Sequence, residues 1–242
     1  MTTRPSAALA RTRVLVVGVG GLGAPAAQAL AQAGVGTLGL MDPDRVDVSN
    51  LHRQPLYDDD DVGRPKVEAA AARLRALAPG VRIEPLAERF DAAHEALARR
   101  YDVVVDGTDT IEAKFTLNDA AVTARVPLVH AGVLGLRAQV LTVLPGASAC
   151  YRCVFEEPPP AAESASCRDA GVLGPVPVLA GALQAAEAIR LLVGERPLFA
   201  DLLCTIDLGT GAWRHVPLAR NPLCTACAAT TLAADVGRSE AP

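Results

Sequence analysis

Three groups of residues in this sequence have types and spacings that could carry chemistry. The first is a glycine-rich segment that follows a short apolar run and precedes an alanine-rich one; its glycines are Gly18, Gly20, Gly21 and Gly23. Such a segment lets backbone amides approach a phosphate at a helix N-terminus. Asp42 lies about 20 residues further along, where a carboxylate can bind ribose hydroxyls. The pattern predicts a nucleotide site and does not separate NAD from ATP.

The second group is charged and lies where strands end or a helix begins. Arg53 can clamp a phosphate with two hydrogen bonds, and Lys66 can act on one as a point charge. Asp109 can hold Mg²⁺, which binds proteins through one or two carboxylates together with substrate phosphates. A dehydrogenase needs no such groups, so the set favours ATP. Taken singly, Arg53 or Lys66 could be an ordinary surface charge.

The third group consists of cysteines. Two C-x-x-C pairs supply four thiols: Cys150, Cys153, Cys224 and Cys227. Four thiolates form a closed tetrahedral Zn²⁺ site, which predicts a structural metal; a redox dithiol and unrelated cysteines are the alternatives. Cys204 lies in an apolar segment and is expected to be a small buried hydrophobe. Cys167 lies in a loop before a helix, where a thiolate could be reactive or the cysteine could be ordinary.

Composition excludes several classes of protein. The chain has 242 residues, is 50% hydrophobic and has a net charge of −4, which excludes a disordered chain and gives no basic surface for nucleic acid. Arginines before an apolar run resemble a signal peptide, but glycines interrupt that run. No apolar stretch reaches the roughly 18 residues of a membrane span. We expect a cytoplasmic protein with no nucleic-acid or membrane partner.

The elements that must position these residues alternate between strands and helices in the first part of the chain. Continuous apolar runs predict parallel strands at 13–17, 37–41, 81–86, 102–105 and 127–130. Helices are predicted at 21–33, 66–78, 91–99 and 111–123, and the acidic run 58–61 is expected to be a solvated loop. The alternation predicts an α/β fold with a Rossmann-like, doubly wound, mostly parallel sheet and ligands at the carboxyl ends of its strands.

The pattern changes after residue 135. We predict C-terminal antiparallel strands at 138–144, 202–207 and 212–217, and a buried, nearly uncharged helix at 176–193. The whole chain, 1–242, is predicted to be a single ATP-binding domain. Its zinc-bound C-terminal part would span about 138–227, followed by a loose tail at 228–242.

Together these motifs resemble the ThiF/MoeB/HesA family, the bacterial relatives of ubiquitin-activating enzymes. The resemblance runs from about residue 13 to residue 227. It rests on the glycine loop, on Asp42, and on the segments 49–54 (SNLHRQ), 63–66 (GRPK), 106–109 (DGTD), 150–153 (CYRC), 167–175 and 220–227.

The resemblance implies a homodimeric adenylyltransferase. With ATP and Mg²⁺ it would activate the C-terminal glycine carboxylate of a small ubiquitin-like sulfur-carrier protein ending in Gly-Gly, for thiamine or molybdopterin synthesis. A cysteine desulfurase or a rhodanese would donate the sulfur. The roles that the resemblance implies are an approach to ATP by Gly21, ribose binding by Asp42, phosphate contacts by Arg53 and Lys66, Mg²⁺ binding by Asp109, and positions near the triphosphate for Asn50 and Gln54.

The sequence also departs from the family. Residues 1–13 lack the family's N-terminal arginine segment, for which Arg4, Arg11 and Arg13 are candidate substitutes. Gly107 stands where the family commonly has cysteine. Lys114 stands where it has arginine, and bidentate geometry is lost there. In the thiamine branch a cysteine at the position of Cys167 attacks the carrier adenylate or forms an acyl disulfide. The alternatives are a non-catalytic member that binds nucleotide and carrier, and an NAD(P)-dependent oxidoreductase, which rests on the glycine motif alone.

Overall fold

The computed structural model describes residues 7–159 and 171–230, and their eight strands lie in one sheet. The strands are β1 (Arg13–Val17), β2 (Thr37–Met41), β3 (Arg82–Leu86), β4 (Val103–Asp106), β5 (Leu128–Leu134), β6 (Arg137–Val143), β7 (Leu202–Asp207) and β8 (Ala212–Pro217). Their order across the sheet is β3-β2-β1-β4-β5-β6-β7-β8. The pairs among β1 to β5 are parallel, and those from β5 through β8 are antiparallel. The predicted fold class is confirmed.

The α-helices of the described residues connect these strands. They are α1 (Gly23–Ala33), α2 (Lys66–Leu77), α3 (Glu95–Ala98), α4 (Ile111–Ala124), α5 (Tyr151–Phe155) and α6 (Pro175–Leu192). The helix predicted from residue 21 begins two residues later, because the glycine loop extends to Leu22. The helix predicted at 91–99 is a 3₁₀ turn, Ala92–His94, followed by the short α3. Asp91 caps that turn as expected, accepting from the N–H of Ala93 at 2.9 Å.

Two elements were not predicted from the sequence. A 3₁₀ helix, Val48–Arg53, follows β2, and α5 begins within the first C-x-x-C pair and contains Cys153. The acidic run 58–61 is not simply a solvated loop, because Asp61 is 2% exposed. Its carboxylate is 2.6 Å from the Arg64 guanidinium and 3.1 Å from that of Arg73. Paired cations make that buried charge tolerable.

Helices cover both faces of the sheet, as a doubly wound fold requires. Side chains alternate along β1, so Val14 and Val16 pack into the cluster formed with α1, α2 and α6, whereas Leu15 and Val17 pack into the cluster formed with α4 and α5. By length and composition alone, α6 could cross a membrane. Val176, Ala180 and Ala188 of α6 are instead buried in the first cluster, which confirms the predicted core helix.

This topology brings three polar segments to one edge. The glycine loop follows β1, Asp42 follows β2, and the turn 106–109 follows β4; all three strands are parallel neighbours. The predicted single domain at 1–242 includes segments outside the described residues and stays a prediction.

Candidate functional site

The glycine-rich segment forms a tight loop between β1 and α1. Gly18 has a left-handed φ of 81°, and its N–H donates to the Met41 carbonyl at 2.7 Å. A β-carbon on Gly18 would lie 2.6 Å from the Gly107 carbonyl oxygen, and one on Gly23 would overlap the Gly18 carbonyl. Only glycine fits at these two positions. The loop leads into the N-terminus of α1, where free N–H groups and the helix dipole favour an anion.

Asp42 ties β2 to this loop. It is 5% exposed, and its carboxylate accepts from the N–H of Val19 at 2.7 Å and from the N–H of Asp44 at 2.8 Å. Burial raises the pKa of Asp42, although the positive charge of Lys66 and these two N–H groups act in the opposite direction. Asp42 therefore has a structural role, and ribose binding by it stays a prediction.

The two cations predicted to contact phosphates are held by neighbouring oxygens. Lys66 begins α2 and is buried, with its Nζ 3.0 Å from Asp44 Oδ2. The half-buried Arg53 donates to Asn50 Oδ1 and, at 3.3 Å, to the Ser49 carbonyl. Lys66 in particular is not an ordinary surface charge, because its ammonium is buried. A buried ammonium must be paired with negative charge, and the exposed carboxylate of Asp44 supplies only part of that charge.

Gln54 carries an unsatisfied group next to the loop. It is 4% exposed, and its Oε1 has no hydrogen-bond partner among the described residues. A β-carbon on Gly20 would lie 3.4 Å from the Gln54 Nε2, so loop and amide are in close contact. A buried acceptor without a donor costs about 1–3 kcal/mol, which a ligand or water donor would relieve.

These residues line one large cleft. All the predicted nucleotide-site residues except Gly23, which is buried beneath the loop, lie on its wall: Gly18, Gly20, Gly21, Asp42, Asn50, Arg53, Gln54, Lys66 and Asp109. Its volume is about 2000 Å³, beyond the roughly 300–1,000 Å³ of a small-ligand pocket. Asp109 is exposed there. The cleft continues over the antiparallel strands past Arg137, Gln139 and Arg214, which sequence reasoning did not single out.

A buried charge cluster that reaches the cleft wall at Lys114 was also missed. Asp106 Oδ2 lies 3.2 Å from Lys114 Nζ and 2.7 Å from His130 Nδ1, and all three side chains are less than a tenth exposed. Burial opposes the charge of Asp106, but Lys114 and His130 outweigh it and hold the pKa of Asp106 well below its usual range. One signal was available, because Lys66 and Lys114 are the only lysines in the sequence.

The four cysteines of the two C-x-x-C pairs come together although the pairs are far apart in sequence. Their sulfurs lie within 4.8 Å of one another, with Cys150 Sγ 3.6 Å from Cys224 Sγ and Cys153 Sγ 3.4 Å from Cys227 Sγ. Thiolates around Zn²⁺ at about 2.3 Å are about 3.8 Å apart, so the cluster fits such an ion. The cysteines are free of disulfides, and the group could bind zinc.

The remaining predicted residues fall outside this geometry. Cys204 is fully buried in β7, as expected of a small hydrophobe. Arg13 is engaged at the opposite end of β1, 3.1 Å from Glu84. Arg4, Cys167 and most of the predicted tail lie outside the described residues.

Comparison with known proteins identifies the family. The model of the ThiF family matches residues 3–226, so the chain belongs to the ThiF family. The chain is 42% identical over 225 residues to the sulfur carrier protein adenylyltransferase of Thermus thermophilus, covering 90% of this chain and 83% of that protein. It is 43% identical over 221 residues to the SAMP-activating enzyme E1 of Haloferax volcanii, covering 90% and 81%.

Two further proteins are similar to this chain over only part of their own length. The adenylyltransferase and sulfurtransferase MOCS3 of Sus scrofa is 45% identical over 221 residues, and this chain spans about half of it, 49%. A crystal structure of Escherichia coli MccB with MccA-N7isoASN has a TM-score of 0.82 at 24% identity, covering 91% of this chain and 68% of that one, and shows the shared fold. The predicted family and the predicted enzyme class, an adenylyltransferase, are confirmed.

Proposed function

We propose that this chain uses MgATP to adenylylate the C-terminal glycine of a small ubiquitin-like sulfur-carrier protein ending in Gly-Gly. The observation that carries the proposal is the convergence of the glycine loop, Arg53, Lys66 and Asp109 on one cleft. The Thermus and Haloferax relatives, named for a sulfur carrier and for SAMP activation, supply the class of partner.

The chemistry suits these groups. The carrier carboxylate attacks the α-phosphorus of ATP, a C–O–P linkage forms, the Pα–O bond to the β-phosphate breaks, and pyrophosphate leaves. The nucleophile is already ionised at neutral pH, so no general base is required. The carboxylate and the triphosphate are both anions and repel each other. Cations and a helix N-terminus lower the resulting barrier by positioning the two groups and stabilising their charge. Asp109 would hold Mg²⁺, which neutralises charge on the phosphates.

Further assignments belong to the same proposal. The four-cysteine cluster would hold a structural Zn²⁺ that joins the segment 224–227 to α5. We propose a cytoplasmic homodimer that serves thiamine or molybdopterin synthesis and takes sulfur from a cysteine desulfurase or a rhodanese. Cys167 would act after adenylation, on the carrier adenylate.

Carrier-dependent exchange of pyrophosphate into ATP tests the activity. Asp109→Ala should reduce exchange by about a hundredfold or more, the scale of losing one electrostatic stabiliser. Glu112→Ala removes a nearby exposed carboxylate that does not line the cleft, and it should leave exchange unchanged. Cys167→Ala should also leave exchange largely intact, since its step comes later.

The same assay separates the alternatives. Absence of exchange with several Gly-Gly-ended carriers would overturn the activity. Nucleotide binding measured by calorimetry without exchange would then identify a non-catalytic member of the family. Protection by NADH and not by ATP would revive the oxidoreductase interpretation.

A further inference from the structure

One of the two lysines lies at the wall of the cleft in a cage of oxygens. Lys114 Nζ is 2.7 Å from the Thr108 carbonyl, 2.7 Å from the Ala131 carbonyl and 3.2 Å from Asp106 Oδ2. An ammonium has three N–H donors and no acceptor, so these three oxygens satisfy it completely. A cation that is already satisfied and only 8% exposed is poorly placed to bind a phosphate itself.

The same cage fixes the turn that carries Asp109. Asp106 Oδ1 accepts from the N–H of Thr108 at 2.9 Å and from its hydroxyl at 2.6 Å. Lys114 holds the Thr108 carbonyl, which belongs to the peptide group that precedes Asp109. Both sides of Thr108 are therefore tied to one buried ion pair, and the peptide plane that orients Asp109 has little freedom.

The turn is also in register with the glycine loop. The N–H of Gly107 donates to the Val17 carbonyl at 2.7 Å. A β-carbon on Gly18 would lie 2.6 Å from the Gly107 carbonyl oxygen and 2.9 Å from the N of Thr108, so the two loops meet backbone to backbone. With no flexible side chain between them, a shift of the turn is transmitted to the glycine loop.

We propose that Lys114 is a positioning residue of the adenylylation site: it holds the Thr108 carbonyl so that Asp109 meets the divalent cation of the bound nucleotide. The inference rests on the proposed function and adds a residue that acts through Asp109 without touching substrate. Lys114 should therefore influence the affinity of the site for Mg²⁺ more than its affinity for the carrier.

The scarcity of lysine makes a direct test possible. Isotope labelling of lysine side chains gives two signals in an NMR spectrum, which Lys66→Arg assigns in the absence of nucleotide. Wild-type protein is first saturated with the non-hydrolysable analogue α,β-methylene-ATP, and Mg²⁺ is then added. We expect Mg²⁺ to shift the Lys114 signal in wild type and not in Asp109→Asn. An equal shift in Asp109→Asn, or none in wild type despite calorimetric binding of Mg²⁺ and the analogue, would overturn the proposal.

Variants provide the second test. Lys114→Met should raise the Mg²⁺ concentration for half-maximal exchange by about tenfold or more, since supporting residues of metal sites are typically worth 10–100-fold. The KM for the carrier should change by less than about twofold, because the substitution removes no contact that binds the carrier. Lys114→Arg keeps the charge and should recover most of the loss. Arg73→Met also removes a cation from a buried carboxylate, Asp61, but lies outside the cleft and should behave as wild type.

The outcomes separate the inference from the function on which it rests. Wild-type protein that binds no nucleotide in calorimetry overturns both. Wild type that binds and exchanges, with Lys114→Met unchanged in its Mg²⁺ dependence, overturns the positioning role alone. If Lys114→Met does not fold, the spectra of the wild type and Asp109→Asn decide.

Discussion

The Asp106 cluster and the four-cysteine cluster, both buried, differ in how their charges are stabilised. In the Asp106 cluster, Lys114 and the neutral ring of His130 stabilise the carboxylate, so its charges balance internally. In the four-cysteine cluster, burial raises the pKa of Cys150, and burial and neighbouring thiols raise that of Cys227 to about 11. Cys224 is the exception: burial opposes its charge, but backbone N–H groups lower its pKa.

The difference predicts which of the two clusters would depend on a bound metal ion. The Asp106 cluster can form as soon as the chain folds, and it lies next to the proposed nucleotide site. The thiols become good ligands only when a cation replaces their protons. The two clusters lie close together, because Tyr151 follows Cys150 and its ring centroid is 4.5 Å from that of His130.

Removing a thiol should have the largest effect on stability. Cys224→Ser should abolish metal binding and lower the melting temperature by roughly 10 °C, because about 3 kcal/mol is a modest part of what structural zinc contributes. Elemental analysis and thermal unfolding measure the two effects. Cys204→Ala, which removes a buried thiol outside the cluster, should keep the metal. If wild-type protein purified under reducing conditions contains well under one zinc per chain, the four-cysteine cluster does not depend on a metal and this prediction is wrong.

A β-carbon between the two loops should have the next largest effect. Gly107→Ala places a methyl group against the Gly18 carbonyl and the backbone of Gly23. We expect a loss of about 2 kcal/mol in the free energy of unfolding, the scale of overpacking, together with weaker nucleotide binding. Chemical denaturation and calorimetry measure these changes.

The matched control is Gly80→Ala, because a β-carbon there meets no atom within 4 Å. It should be neutral or stabilise the protein slightly, by up to about 1 kcal/mol, through the entropy of the unfolded chain. If Gly107→Ala proves as stable as Gly80→Ala and binds nucleotide as wild type does, the loops are not interlocked. The proposed nucleotide site would then tolerate a change in its backbone packing, contrary to the rigidity inferred for it.

Much of the fold follows from local pattern. The predicted bounds of β1, β2, β7 and β8 agree with the structure because each is a short run ended by turn residues. The convergence of the predicted site residues on one cleft followed because parallel strands bring their carboxyl ends to one edge, so residues after β1, β2 and β4 had to meet.

What sequence reasoning missed depends on tertiary packing. Asp106, Lys114 and His130 come from a strand, a helix and another strand, and no fixed spacing links them. The buried charge of Asp61 is paired with Arg64 and with Arg73 in the following helix, so a run of four aspartates alone could not reveal its burial. α5 is short, and its side chains pack on Phe115 of α4 and His130 of β5. Contacts of this kind appear only once the sheet order is known.

The smallest effect should come from the pH dependence of the internally balanced cluster. Burial lowers the pKa of His130, so the folded protein keeps the ring neutral below the value of about 6.5 at which the unfolded chain takes up a proton. The unfolded state then binds more protons, and stability falls as the pH drops, by up to about 1.4 kcal/mol per unit. Between pH 7 and pH 5.5, wild type should lose roughly 1 kcal/mol through this group.

His130→Gln should lose less over the same range, because it removes the proton uptake of the unfolded chain while an amide can still donate to Asp106. His215→Gln, the same change on the exposed strand β8, should keep the wild-type slope. Acid also releases a thiolate-bound metal, but that loss is common to all three proteins, so the difference between slopes isolates His130. Identical slopes would mean that the folded Asp106 cluster accepts a proton. The claim that its charges balance internally, in contrast to those of the four-cysteine cluster, would then be wrong.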